Sequence, residues 1–182
     1  LRFLSKKTLK GAQMPTKIEK VKEMFINEWG ALGTAWGINK TVAQVHATLM
    51  AEMEPIHTDE LMEKLSISRG NAHSSLKELV AWGIIKKVVK KGVRKEFFLA
   101  EKDPWKILCA IAKERRKREI EPTLTILMHC LEELKNSKEN GADDFVKLLQ
   151  ELQEFISMGD RLLEKLGNSE KSLMMKMLVK LL

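Results

Sequence analysis

The chain contains no tyrosine, and aromatic residues fill only 5% of its 182 positions. Leu and Met carry much of the apolar content, which favours a mostly helical protein, since strands draw on aromatic and β-branched side chains. Gly and Pro are few, and the chain is long enough for one sizeable core or two small ones. Cys109 and Cys130 form no CxxC pair, which excludes a disulfide framework and points to a reducing compartment. No stretch reaches the roughly 18–20 uninterrupted apolar residues of a membrane-spanning helix. Residues 1–15, LRFLSKKTLKGAQMP, hold Arg2, Lys6, Lys7 and Lys10 without an acid and lack the apolar core of a secretory signal. They read as a basic N-terminal segment, with a processed, tagged or truncated start, on a soluble cytoplasmic protein.

Catalytic signatures are missing too. His46, His57, His73 and His129 stand in no HExxH pattern and beside no Gly-flanked serine. There is no GxxxxGKS/T loop and no paired-carboxylate motif. The glycines of GALGTAWG (Gly30 to Gly37) follow no strand and precede no Lys-Ser/Thr, so they mark a turn and close packing that interrupt the first helix. Cys109, His129 and Cys130 would supply three metal ligands only if helices brought them together. Two buried thiols and one surface histidine are the simpler reading. The expectation is no enzyme, no metal and no cofactor.

What the chain does have is positive charge. Its formal net charge is +7, which favours an anionic partner. The stretch SISRGNAHSSLKELVAWG, Ser66 to Gly83, predicts a short helix capped by Ser68 and stopped by Gly83. Ala72, Leu76, Leu79 and Val80 share its apolar face; Asn71, His73, Ser74, Lys77 and Glu78 take the other, with Arg69 in the first turn. Just upstream, Thr58 is placed to cap a helix with Leu61, Met62 and Leu65 inward, and Ser66-Ile67 joins the two as a helix-turn-helix. Downstream, IIKKVV (84–89) and RKEFFL (94–99) read as strands joined by a hairpin loop over 90–93, with Gly92 free to take positive φ. A hairpin after a helix-turn-helix is a wing.

From Ser68 to Ala100, eight cations at 69, 77, 86, 87, 90, 91, 94 and 95 face two acids, Glu78 and Glu96, a net of +6 in 33 residues. A duplex major groove admits one helix, whose side chains meet base-edge donors and acceptors. Arg69 and Lys77 would reach guanine or phosphate; Asn71, His73 and Ser74 suit base edges or phosphate. Lys90, Lys91 and Arg94 at the wing tip would meet the backbone or the minor groove. The rival reading is a winged-helix scaffold that docks protein and binds no specific DNA.

The remaining segments are amphipathic. An N-terminal helix covers about 16–32, with Ile18, Val21, Phe25 and Leu32 on its stripe, and a second helix places Ile38, Val42, Val45 and Leu49 inward. Asp103-Pro104 opens a helix with Trp105, Leu108 and Ile111 inside. KERRKRE (Lys113 to Glu119) reads as a solvated charge run, and Pro122 kinks or restarts the helix. Leu124, Leu127, Met128, Leu131 and Leu134 continue one stripe; Phe145, Leu148, Leu149, Leu152, Ile156, Leu162, Leu163 and Leu166 form another. Ser169 caps a last segment ending LMMKMLVKLL, whose few lysines give little attraction to a membrane surface. The expected fold is mostly α: a winged helix-turn-helix over 37–103, made of a three-helix core and a β-hairpin wing, flanked by a dimerisation helix over 16–36 and a helical dimerisation region over 104–182. Apolar stripes of that length normally mean association.

Trp36 to Leu108 resembles the winged-helix regulators of the MarR superfamily, and within it the chain resembles the glycine-betaine-synthesis-repressor-like (GbsR-like) branch, through stretches that together cover Thr41 to Leu124, about half the chain. The stretches that carry the likeness are TVAQVHATLM, HTDELMEKLSISRGNAHSSLKELVAWGIIKKV, KGVRKEFFLAEKDPWKIL and ERRKREIEPTL. The resemblance implies a homodimeric transcriptional regulator; the expectation is a repressor, with a palindromic operator that follows from two-fold symmetry and a small-molecule pocket between the flanking helices and the DNA-binding domain. Ser68, Arg69, Asn71, Ser74 and Lys77 match the family's recognition-helix pattern, and Gly92 with Arg94 its wing tip. His73 departs from the small or apolar residue expected there. The branch suggests choline-type effectors, but a quaternary ammonium needs an aromatic cage, and without tyrosine choline is not predicted.

Overall fold

The computed structural model describes residues 14–92 and 94–168; the basic residues before them, Val93, and the apolar segment from Ser169 onward lie outside the described residues. Helix α1 runs over Lys17–Ala35, opened by a capping box in which Thr16 accepts from the Glu19 amide and Glu19 accepts from the Thr16 amide. It is not interrupted at Gly30, as the glycines predict, but continues to Ala35. Gly30 and Gly33 are buried inside it, and an added Cβ would stand 2.7 Å from Gln44 Cγ at one and 2.5 Å from Ala43 Cβ at the other. Those glycines let α1 lie against α2 (Lys40–Ala51). The turn itself falls on Gly37, with φ of +76°.

Helix α2 is the spine of the core, buried at Val42, Val45 and Leu49. Asn39 caps its start. At its end, Lys102 Nζ donates to the Leu49 and Met50 carbonyls at 2.8 and 2.7 Å, satisfying acceptors the helix leaves open. A two-residue strand β1 (Ile56–His57) follows, which no sequence period reveals. Because His57 is already extended in that strand, it takes the N-cap of α3 (Thr58–Leu65) instead of the expected Thr58: His57 Nδ1 accepts from the Asp59 amide at 3.0 Å. Ser66, in the left-handed region at φ 51°, turns the chain, and Ser68 caps α4 (Arg69–Ala81) by accepting from the Asn71 amide. Gly83, at φ +76°, ends that helix.

Strands β2 (Ile85–Val88) and β3 (Phe97–Ala100) pair antiparallel, Val88 opposite Phe97, and β1 adds to the far side of β3, giving the order β1-β3-β2. The second hairpin strand therefore starts at Phe97, not Arg94, and the wing loop spans 89–96. Leu61, Leu76, Leu79, Ile84 and Phe98 close the core with α2. The mostly helical winged helix-turn-helix fold is present, with a third strand added to the hairpin.

Asp103 caps α5 (Pro104–Arg115), as predicted, but its inner face carries Ile107, Ala110 and Ala112, while Leu108 is 45% exposed and Trp105 and Ile111 are half-buried. A π-helical turn (Arg116–Ile120) then feeds directly into α6 (Glu121–Leu134), so Pro122 sits in a first turn without breaking the path. KERRKRE is more than a solvated run. Arg115 donates to the Trp36 carbonyl at 2.8 Å, Arg116 binds Asp160 at 2.7 Å, and Arg118 binds Glu114 and Glu78 while lying 5.0 Å from the Trp82 ring. One stretch of chain thus ties the end of α1, α4 and α7 (Ala142–Asn168) together. On the apolar stripes Leu127 and Leu149 are buried within the chain, but Met128 is 61% and Phe155 70% exposed.

His46, on α2, is buried against Trp29, and desolvation, with help from the Lys102 charge, lowers its pKa to about 4. Its unfolded value is near 6.5, so the neutral form is favoured by folding. That contribution is complete above pH 6.5 and disappears as pH falls toward 4, a loss on the order of 3 kcal/mol. Urea midpoints measured from pH 7 to 4 should fall accordingly, and His46→Leu should flatten that part of the profile.

Candidate nucleic-acid interface

The exposed face of α4 is built by its own periodicity. Ala72, Ser75, Leu76 and Leu79 turn inward, which leaves Asn71, His73, Ser74 and Lys77 exposed on one side. Ser68 is occupied as the cap, and Ser74 Oγ donates to the Asn71 carbonyl at 3.2 Å. The one acid of this helix, Glu78, is half-buried and held by Arg118 at 3.0 Å. The ion pair offsets its charge beside the exposed polar face.

On the wing, Gly92 takes φ of +81°, which lets the loop fold back. Lys91 and Arg94 are exposed beside it. Lys90 bends back instead, its Nζ 4.3 Å from the centroid of the Phe97 ring. Lys87 binds Glu96 at 2.7 Å, and that ammonium holds the Glu96 carboxyl below its ordinary pKa. Between wing and helix lies a cleft of about 430 Å³ lined by His57, Asp59, Arg69, His73, Arg94 and Lys95. Arg69, His73 and Arg94 are therefore brought together, while Asn71, Ser74 and Lys77 do not line this cleft.

Several neighbours of this face were not singled out from the sequence. A polar cleft of about 140 Å³ places Asn39 and Thr41, at the start of α2, beside Asn71 and Ser74. Asn39 before Lys40 is a readable cap signal; its nearness to α4 is not. Asp59 and Lys95 are the other additions, joined at 3.4 Å across 36 residues. Exposure of Asn71 and Ser74 supports a test of base readout. Asn71→Ala or Ser74→Ala should relax preference at particular operator positions at a cost of about 1–3 kcal/mol, with binding to unrelated DNA nearly unchanged. Position-by-position binding profiles check this; uniform loss would assign both residues to phosphate.

A separate cavity of about 380 Å³ opens between α1, α2 and α5, lined by Phe25, Trp29, Trp36, Met50, Ile107 and Ile111, with Glu101 and Lys102 at its edge. A void of about 30 Å³ shares Trp29, Trp36 and Ile111 with it, and into that void's lining come the buried His46 Nε2 and Trp82 Nε1, neither with a hydrogen-bond partner. Among the described residues no three His, Cys, Asp or Glu side chains converge for a metal, and Cys109 and Cys130 are half-buried on different helices.

A three-helix core, a helix-turn-helix and a hairpin wing beside an exposed cationic helix define a winged helix-turn-helix protein. A solved structure described as that of a transcriptional regulator shares this fold, with a TM-score of 0.64 and 15% identity over 81% of this chain and 96% of that one. Two curated proteins of Bacillus subtilis (strain 168) are similar along most of their length. The HTH-type transcriptional repressor GbsR is 24% identical over 84% of this chain and 89% of its own; the putative HTH-type transcriptional regulator YvaV is 26% identical over 82% and 89%. No family model matches the chain. The likeness to GbsR-type regulators extends well beyond the half of the chain in which the motifs are legible.

Proposed function

We propose that this protein is a sequence-specific double-stranded-DNA-binding transcriptional regulator, a homodimeric repressor modulated by a small molecule and working in the cytoplasm without catalysis or cofactor. The observation that carries the reading is the α4 face, where Asn71, His73, Ser74 and Lys77 stand exposed while Glu78 is neutralised by Arg118. The GbsR and YvaV likeness supports the same assignment. In it, α4 enters the major groove, Lys91 and Arg94 meet the backbone beside it, and Arg69 and Lys77 engage guanine or phosphate.

Exposed apolar residues on three helices, Ile18 on α1, Ile126 on α6 and Phe155 on α7, support dimerisation through the segments that flank the winged helix. The aromatic-lined cavity between α1, α2 and α5 is the seat we assign to the effector, because it touches both the flanking helices and the DNA-binding core. Among the described residues no helix is long and apolar enough to cross a membrane. Retention of mixed genomic DNA at low and high salt, followed by sequencing of the bound fragments, tests the proposal. A salt-sensitive retention that enriches an imperfect palindrome is expected; little retention even at low salt favours the protein-docking scaffold.

A further inference from the structure

The cleft between wing and recognition helix contains an acid where a DNA-binding surface would ordinarily avoid one. Asp59, in the first turn of α3, receives Arg69 Nη2 at 3.1 Å on Oδ1 and Lys95 Nζ at 3.4 Å on Oδ2; His57 Nδ1 lies 3.4 Å from the same Oδ2. Arg69 opens the recognition helix and Lys95 belongs to the wing, so one carboxylate joins the two parts of the interface. All three side chains are largely solvated, at 47% exposure for Asp59, 76% for Arg69 and 60% for Lys95. Exposed pairs of this kind are weak and easily exchanged.

Resting on the DNA-binding reading above, we propose that Asp59 is a specificity-determining residue: an internal competitor of phosphate that holds Arg69 and Lys95 until a correctly seated operator takes them over. A phosphate presents the same kind of oxygen pair to Arg69 as the carboxylate does. On unrelated DNA, which lacks the base contacts that seat α4, the two cations stay shared with Asp59 and contribute little. On the operator, base contacts press the same cations against the backbone and the exchange goes to completion. Non-specific affinity rests almost entirely on phosphate contacts, so a competitor there widens the ratio between specific and non-specific binding. The charge of Asp59 is itself repelled by the duplex, which adds to the discrimination.

The test measures wild type, Asp59→Asn and Glu60→Gln on the selected operator and on a scrambled duplex over a range of salt. Glu60 is the control: it is the neighbouring first-turn acid of α3 and its carboxylate lies 3.8 Å from Lys64, away from the wing. Asp59→Asn should tighten scrambled-duplex binding about threefold to tenfold and steepen its salt slope by roughly one to two per subunit, with a smaller gain on the operator. Glu60→Gln should leave the specificity ratio close to wild type. Adding Lys95→Gln to Asp59→Asn should reverse part of the gain, and Asp59→Ser serves if the asparagine variant does not fold. A wild type that binds while Asp59→Asn matches it, or Asp59→Asn binding both duplexes more weakly, overturns the inference and leaves the function standing. A wild type that binds no DNA removes both.

Discussion

Operator affinity of the dimer is expected to fall with a log–log salt slope on the order of −9 to −11, the signature of about five or six neutralised phosphates per subunit. The cationic inventory is sufficient: Arg69, Lys77, Lys91, Arg94 and Lys95 all present exposed side chains along α4 and the wing. A rise from 50 to 200 mM salt should then cost about six orders of magnitude in affinity. The wing's share is separable. Lys91→Ala and Arg94→Ala should each weaken binding to every sequence and flatten the slope by roughly one per lost contact in each subunit. Lys90→Ala should do less, because that ammonium lies over Phe97 instead of beside the loop tip. Titrations followed by fluorescence anisotropy over four salt concentrations read all three variants. An unchanged slope in Lys91→Ala and Arg94→Ala moves the wing off the DNA.

The parts of this interface that were legible in the sequence are those whose signals are local. Ser68 three residues before the amide it caps, Gly83 at the stop, and the apolar spacing of Ala72, Leu76 and Leu79 define α4 without help from the rest of the chain. Other features are set by partners far along the sequence. Strand β1 is two residues long and exists through pairing with β3, so no period could show it. Gly30 and Gly33 look like helix breakers until α2 is placed against them, with Ala43 and Gln44 filling the space a Cβ would need. KERRKRE reads as solvated because its anionic partners, Glu78 and Asp160, lie 40 and 44 residues from the arginines that bind them. The same holds at the site itself, where the sequence places Arg69, His73 and Arg94 on a DNA face but gives no sign that Asp59 stands among them.

Breaking the dimer should have the other large effect. A two-fold dimer presents its two α4 helices to successive major grooves on one side of the duplex, which lie about 34–36 Å or 10–10.5 base pairs apart. The operator should therefore be an imperfect palindrome with half-site centres at that spacing. Leu149 is 5% exposed and packed within its own chain, so a charge there would disturb the fold. Leu152 and Phe155, 41% and 70% exposed on the same helix, are the positions to change. Leu152→Lys with Phe155→Lys should yield monomers whose winged helix still folds, because its core is made by α2 to β3 and not by α7. Losing the second, tethered half-site should then weaken palindromic binding by about 10²–10⁴-fold while a single half-site is bound as before. Within the chain the π turn ties α7 to α4, Arg116 binding Asp160 of α7 and Arg118 binding Glu78 of α4. In the proposed dimer a tilt of α7 would change the separation of the two α4 helices, and the proposed effector would shift it only by preferring one spacing over the other. Sedimentation and footprinting decide the matter. A wild type that sediments as a monomer and protects one half-site removes the dimer from the mechanism.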